Sequence, residues 1–181
     1  MKMTVFVGCD FAKDGPYRTI TRVLKDFARP GLTIYPIVSN SAADTVIEAF
    51  GHNHPQIRQL TSSGLTIRIS AMIRNCDIML FDITGYKKSR YCLNVIHELG
   101  IATGYTIARR NTDARFFCKR GLEWIKDVSN LQGGLPLTSR PYKSMIHLGR
   151  QLRENLLPLI EMKRLALSKR PAARKTPKRS R

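Results

Sequence analysis

The chain has 181 residues, of which 43% are hydrophobic, and a formal net charge of +18. That length suits one domain with a sizeable core; no apolar stretch reaches the about 18 residues that a membrane helix needs, and the N-terminal MKMTVFVGCD is too short in its apolar part for a signal peptide, so a cytoplasmic protein is expected. The charge gathers at one end: Met162–Arg181 holds nine Lys and Arg and no acid, and without those nine the net charge of +18 falls to +9, a body still basic enough to attract phosphates or nucleic acid.

Met3–Gly8 (MTVFVG) is a short apolar run ending in glycine and predicts a buried strand, apolar on both faces like a central parallel strand. Tyr17–Ala28 places Ile20, Val23, Leu24 and Phe27 at helical spacing, and Arg29-Pro30-Gly31 stops that helix. Leu32–Val38 predicts a second strand, with Pro36 marking it as near an edge or near its end. Between Asn40 and Ser63 the pattern is weak; a short helix from Asp44 to Phe50, capped by Asp44, fits it, and His52–Pro55 reads as a loop. Thr66–Arg74 is helical, and Asp77–Ile83 is a third strand. A helix follows over Asn94–Gly104, then a fourth strand over Ala114–Cys118. Gly121–Asp127 fits a short helix or strand, Gly133–Pro136 a loop, and Tyr142–Met162 a long amphipathic helix in which Pro158 is a candidate kink. Strands alternating with helices predict an α/β, flavodoxin-like three-layer sandwich with a mostly parallel sheet of four or five strands. Residues 1–162 form that domain, and 163–181 a basic tail that is disordered when free and offers salt-dependent contact to nucleic acid.

Cys9, Cys76, Cys92 and Cys118 show no C-x-x-C spacing, which predicts reduced thiols. Cys76 and Cys118 read as core residues, while Cys9 stands near the end of the first strand, beside the crevice. His52 and His54 have no neighbouring cysteine or carboxylate cluster, so no metal site is expected. Walker, G-x-G-x-x-G and G-x-S-x-G patterns are missing from the sequence, which argues against P-loop ATPases, dinucleotide dehydrogenases and serine hydrolases.

The run NCDIMLFDITGYKKSRYCLNVIHELGIATG, from Asn75 to Gly104, carries the most chemistry. Asp82 stands where the third strand ends, and Glu98 lies in the early turns of the next helix. Ligands of open α/β sheets sit beyond the carboxyl ends of the strands, so Asp82 and Glu98 are expected to face one crevice. Asp77 begins the same strand at the far end of the sheet and reads as structural. His97 points about 100° away from Glu98 around the helix.

Asp82-Ile83-Thr84-Gly85, with Asn94-Val95 and Glu98-Leu99-Gly100, resembles the nucleoside 2-deoxyribosyltransferase-like proteins and their TIR-like relatives. Phe6-Val7-Gly8 with Phe11 is similar to the first strand and loop of those families, and Ser129–Gly133 with Tyr142-Lys143-Ser144 to their last motif and closing helix. Cys92-Leu93-Asn94-Val95 stands where they have Asn-Pro-Asn-Val, Asn130 stands where they have Asp, and the loop before Asn94 is longer and holds Lys87, Lys88 and Arg90. The resemblance implies that Glu98 is the nucleophile or cation stabiliser in cleaving or transferring an N-glycosidic bond, with Asp82 holding a sugar hydroxyl or base edge or orienting Glu98. It implies Gly8, Cys9, Asp10, Phe11, Thr84, Gly85 and Asn94 as substrate-binding residues; Asn94 also reads as the helix cap. A nucleoside, a nucleotide or NAD is the expected substrate, with no cofactor, and a homo-oligomer is implied. Lys87, Lys88 and Arg90 read as a solvated loop or a phosphate cover, and Trp124 and Tyr142 as core residues or base-stacking groups. The reading from a different class is a non-catalytic nucleotide sensor of bacterial defence whose tail engages nucleic acid.

Overall fold

The structure, a computed structural model, describes residues 1–85, 91–109, 114–118 and 141–168. Four strands, β1 (Lys2–Gly8), β2 (Thr33–Ile37), β3 (Ile78–Asp82) and β4 (Ala114–Phe117), form one sheet in the order β2-β1-β3-β4. Every pairing is parallel, with Phe6 opposite Ile37, Gly8 opposite Phe81 and Asp82 opposite Phe117. This is the flavodoxin-like, doubly wound order as far as its fourth strand. β2 is an edge strand, which is where Pro36 is tolerated.

Among the described residues six helices cover the two faces: α1 (Tyr17–Phe27), α2 (Ala43–Phe50), α3 (Ile57–Thr61), α4 (Leu65–Asn75), α5 (Leu93–Arg109) and α6 (Met145–Ser168). The period-two alternation of the strands decides what each face receives. Met3, Val5 and Val7 of β1 join Ile78 and Leu80 of β3 against α1 and α6. Phe6, Met79 and Phe81 point the other way, against α2, α4 and α5. At the amino end of the sheet, Asp77 Oδ2 accepts bonds from Thr4 N at 2.8 Å and Thr4 Oγ1 at 3.0 Å, so its role there is structural.

Four boundaries differ from the sequence reading. Asp44 is not a cap: α2 begins at Ala43 with no side-chain cap bond, and Asp44 sits in the first turn, where a carboxylate favours the helix dipole. The weakly patterned stretch after Phe50 contains α3, whose burial rests on Leu60 alone. α5 starts at Leu93, so Asn94 lies inside the first turn. α6 starts at Met145 and continues to Ser168 through Pro158, so residues 163–168 are helical rather than tail. The predicted elements over 121–136 and the motif Ser129–Gly133 lie outside the described residues, as do Tyr86, Lys87, Lys88, Arg90, Trp124 and the chain beyond Ser168.

Candidate functional site at the carboxyl edge of the sheet

β1 is followed by β2 on one side, and β3 pairs with β1 on the other, so the strand order reverses at the carboxyl ends of β1 and β3. Such a reversal point is where doubly wound sheets open a ligand crevice. The last residue of β1 is Gly8, paired with Phe81. A Cβ on Gly8 would lie 2.6 Å from Glu98 Oε2 and 2.8 Å from Phe81 Cδ1. The missing side chain of Gly8 is therefore the space that the Glu98 carboxylate occupies.

Glu98 is only 5% exposed. Burial pushes its carboxyl up to about 7, opposed only by a hydrogen bond from the Ser39 hydroxyl. Among the described residues no cation offsets that burial. Cys92 stands at the head of α5, where the backbone N–H groups of Val95 and Asn94 favour its thiolate form. Asn94, inside the first turn, has its side chain exposed. Burial raises the Cys92 thiol, and the nearby charges of Asp10 and Glu98 raise it further.

Asp82 reaches the carboxyl edge from the other face of the sheet. Its position continues the alternation of Ile78 and Leu80, so its side chain turns to the α1/α6 layer, whereas Glu98 comes from α5 on the other face. Asp82 is 0% exposed. Its Oδ2 accepts the Tyr142 hydroxyl at 2.7 Å, and its Oδ1 accepts Thr84 N–H at 2.9 Å. Tyr142 Oη is also 3.2 Å from Thr84 Oγ1. Burial raises the Asp82 carboxyl to about 6, and the bonds from Thr84 and Tyr142 restrain the rise. Asp82 and Glu98 thus approach the carboxyl edge from different layers, Asp82 bonded to Tyr142 and Glu98 carried by α5. The reason is the two-residue period of β3, which a run apolar on both faces conceals.

Cys9 lies between the two acids in the electrostatic sense. It is buried, and burial together with the charges of Asp82, Cys92, Glu98 and Asp10 drives its thiol far above the ordinary range. A thiol so disfavoured as thiolate is no nucleophile. Asp10 closes an Asx turn, its Oδ1 accepting Ala12 N–H at 2.8 Å. Phe11 is 46% exposed and packs on Tyr17 with ring centroids 4.9 Å apart. Thr84 is buried on Asp82 and Tyr142, while Gly85 and Asn94 remain at least partly open at the same edge. Cys76 and Cys118 are core residues on the α2–α5 face. No group of three or more His, Cys, Asp and Glu side chains able to hold a metal occurs among the described residues.

Ser39 and the bond from Tyr142 to Asp82 were not legible as site features. Position offers the only signal for Ser39: it follows β2, the neighbour of β1, at the carboxyl edge.

No protein-family model matches the chain, and no curated protein matches its sequence. Among solved structures it is similar to a 2-desoxiribosyltransferase from Leishmania mexicana, with 15% identity and a TM-score of 0.43, over 84% of this chain and 98% of that one.

Proposed function

We propose that the chain binds a nucleoside or nucleotide at the carboxyl edge of β1 and β3 and breaks its N-glycosidic bond with Glu98. Water or a second base accepts the sugar. The observation that carries the reading is the Glu98 carboxylate itself: nearly buried, without a cation among the described residues, seated where the strand order reverses and where Gly8 leaves room for it. Packing alone does not call for such a group, because a buried carboxylate held only by a hydroxyl lowers stability. Raised carboxyls in clefts are frequent at catalytic sites.

The chemistry follows from charge. Departure of the base leaves positive charge on the sugar, and an ionised carboxylate against the anomeric carbon stabilises or captures it. In a water-poor site that attraction is stronger than in bulk solvent. Ser39 acts as a positioning residue that holds Glu98. Asp82 acts indirectly, fixing the turn at Thr84–Gly85 through its bonds to Thr84 and Tyr142. NAD belongs with nucleosides and deoxynucleoside monophosphates in the candidate substrate set.

The test is chromatographic measurement of free base after incubation with each of these three substrate classes, alongside Glu98→Ala. Base release by the native chain, lost in a folded Glu98→Ala, supports the reading. Saturable binding with no base release would replace it with nucleotide sensing, and unchanged release by Glu98→Ala would refute the role of Glu98.

A further inference from the structure

Among the described residues the positive charge is distributed unevenly between the two helical layers. Residues 16–30 and 141–168, which form the α1/α6 layer, hold nine Lys and Arg against three acids. Residues 43–75 and 91–109, which form the opposite layer, hold four against three. α1 and α6 lie side by side and run in the same direction. Arg153 pairs with Asp26 at 2.7 Å, and farther along Arg29 pairs with Glu161. Arg18, Arg22 and Lys25 fall on one stripe of α1, opposite its buried residues Thr19, Ile20, Val23 and Leu24. These three side chains are exposed and have no carboxylate partner among the described residues. The ion pairs of α6 are solvent-exposed and therefore weak, which leaves its arginines ready to exchange a carboxylate for a phosphate.

We infer that this two-helix face binds the phosphate backbone of nucleic acid. α6 has 24 residues, a length of about 36 Å at the α-helical rise, close to one turn of duplex at about 34–36 Å. Six of the nine cations are arginine, whose planar fork matches phosphate oxygens. The face ends at a cleft of about 600 Å³ lined in part by Lys2, Arg29 and Arg164. In the sequence after Ser168, residues 169–181 add seven Lys and Arg and no acid. The inference does not depend on the glycosidic reading, since it concerns a different face. Binding is sequence-independent and salt-dependent, because only backbone charge is neutralised.

Exposed Ile146 and Leu157 on α6 make an anionic bilayer the competing partner. The experiment therefore uses the full chain, a random-sequence DNA duplex read by fluorescence anisotropy across a salt series, and vesicles of phosphatidylserine and phosphatidylcholine. Arg18→Gln with Arg22→Gln is expected to flatten the slope of log affinity against log salt by about two, roughly one for each phosphate no longer neutralised. Arg58→Gln with Arg74→Gln, which removes equal charge from the opposite layer, is expected to leave the slope unchanged. Equal loss from both pairs would reduce the effect to net charge, and no loss from the first pair would move it to residues 169–181. Tighter binding to the vesicles than to the duplex at equal salt would replace nucleic acid with a membrane surface. Each of these three outcomes overturns the inference.

Discussion

Gly8 and Glu98 define each other. A methyl group at position 8 would meet a carboxylate oxygen and the Phe81 ring at distances that real Cβ atoms do not adopt. Gly8→Ala is therefore expected to cost about 1–3 kcal/mol, as overpacking does, and to displace Glu98. Urea denaturation of Gly8→Ala, read with base release, should show activity falling by more than the stability loss explains. Glu98→Gln should act in the opposite sense on stability. The amide keeps the shape and the bond from Ser39 but removes a charge that burial disfavours, so at pH 8 the variant is expected to be more stable by about 3 kcal/mol. An unchanged or lower denaturation midpoint for Glu98→Gln at pH 8 would show that the ionised carboxylate is not under the burial penalty argued here.

At the scale of elements, the bond from Tyr142 to Asp82 joins the lead-in to α6 to the end of β3, across 60 residues of sequence. Tyr142→Phe leaves a buried carboxylate oxygen short of its donor, at an expected cost of about 1–3 kcal/mol. The Asp82 carboxyl should rise further above about 6 in that variant, because a bond that favours its charged form is gone; carboxyl titration by NMR reads this directly. Elements with strong apolar periodicity were legible in the sequence. β1, α1, β3 and α4 fall within a residue or two of expectation, since Ile20, Val23 and Leu24 or Ile69, Met72 and Ile73 have one way to be buried. Short α3 was not legible, because a single buried leucine makes no period. Nor was the face of Asp82: the four β3 residues before it are apolar and buried whichever way they point, so the alternation leaves no trace until the sheet is assembled. The start of α5 differs because asparagine is a usual cap, whereas here Asn94 lies inside the first turn of a helix that begins at Leu93.

For the molecule as a whole, two raised carboxyls give a pH dependence whose sign is fixed. Asp82 titrates near 6 and Glu98 near 7 in the folded chain, against ordinary values of 3.8 and 4.5. Between about pH 4 and 7 the folded state keeps protons that the unfolded state releases, so stability contributed by these groups falls as pH rises through that window. Comparison of urea midpoints at pH 5 and pH 8 should show that fall, and Glu98→Gln should remove roughly half of it. The same feature that weakens the fold at neutral pH serves the proposed chemistry, because a carboxyl near 7 must lose its proton before it can face a developing sugar cation. The pH dependence of base release from a cleaved nucleoside or nucleotide, measured on the native chain beside folded Glu98→Gln, tests this most directly. We predict a rate that climbs with pH to a midpoint near 7 in the native chain and is lost in the variant; a rate flat from pH 5 to 8, or a variant as active as the native chain, would contradict the assignment.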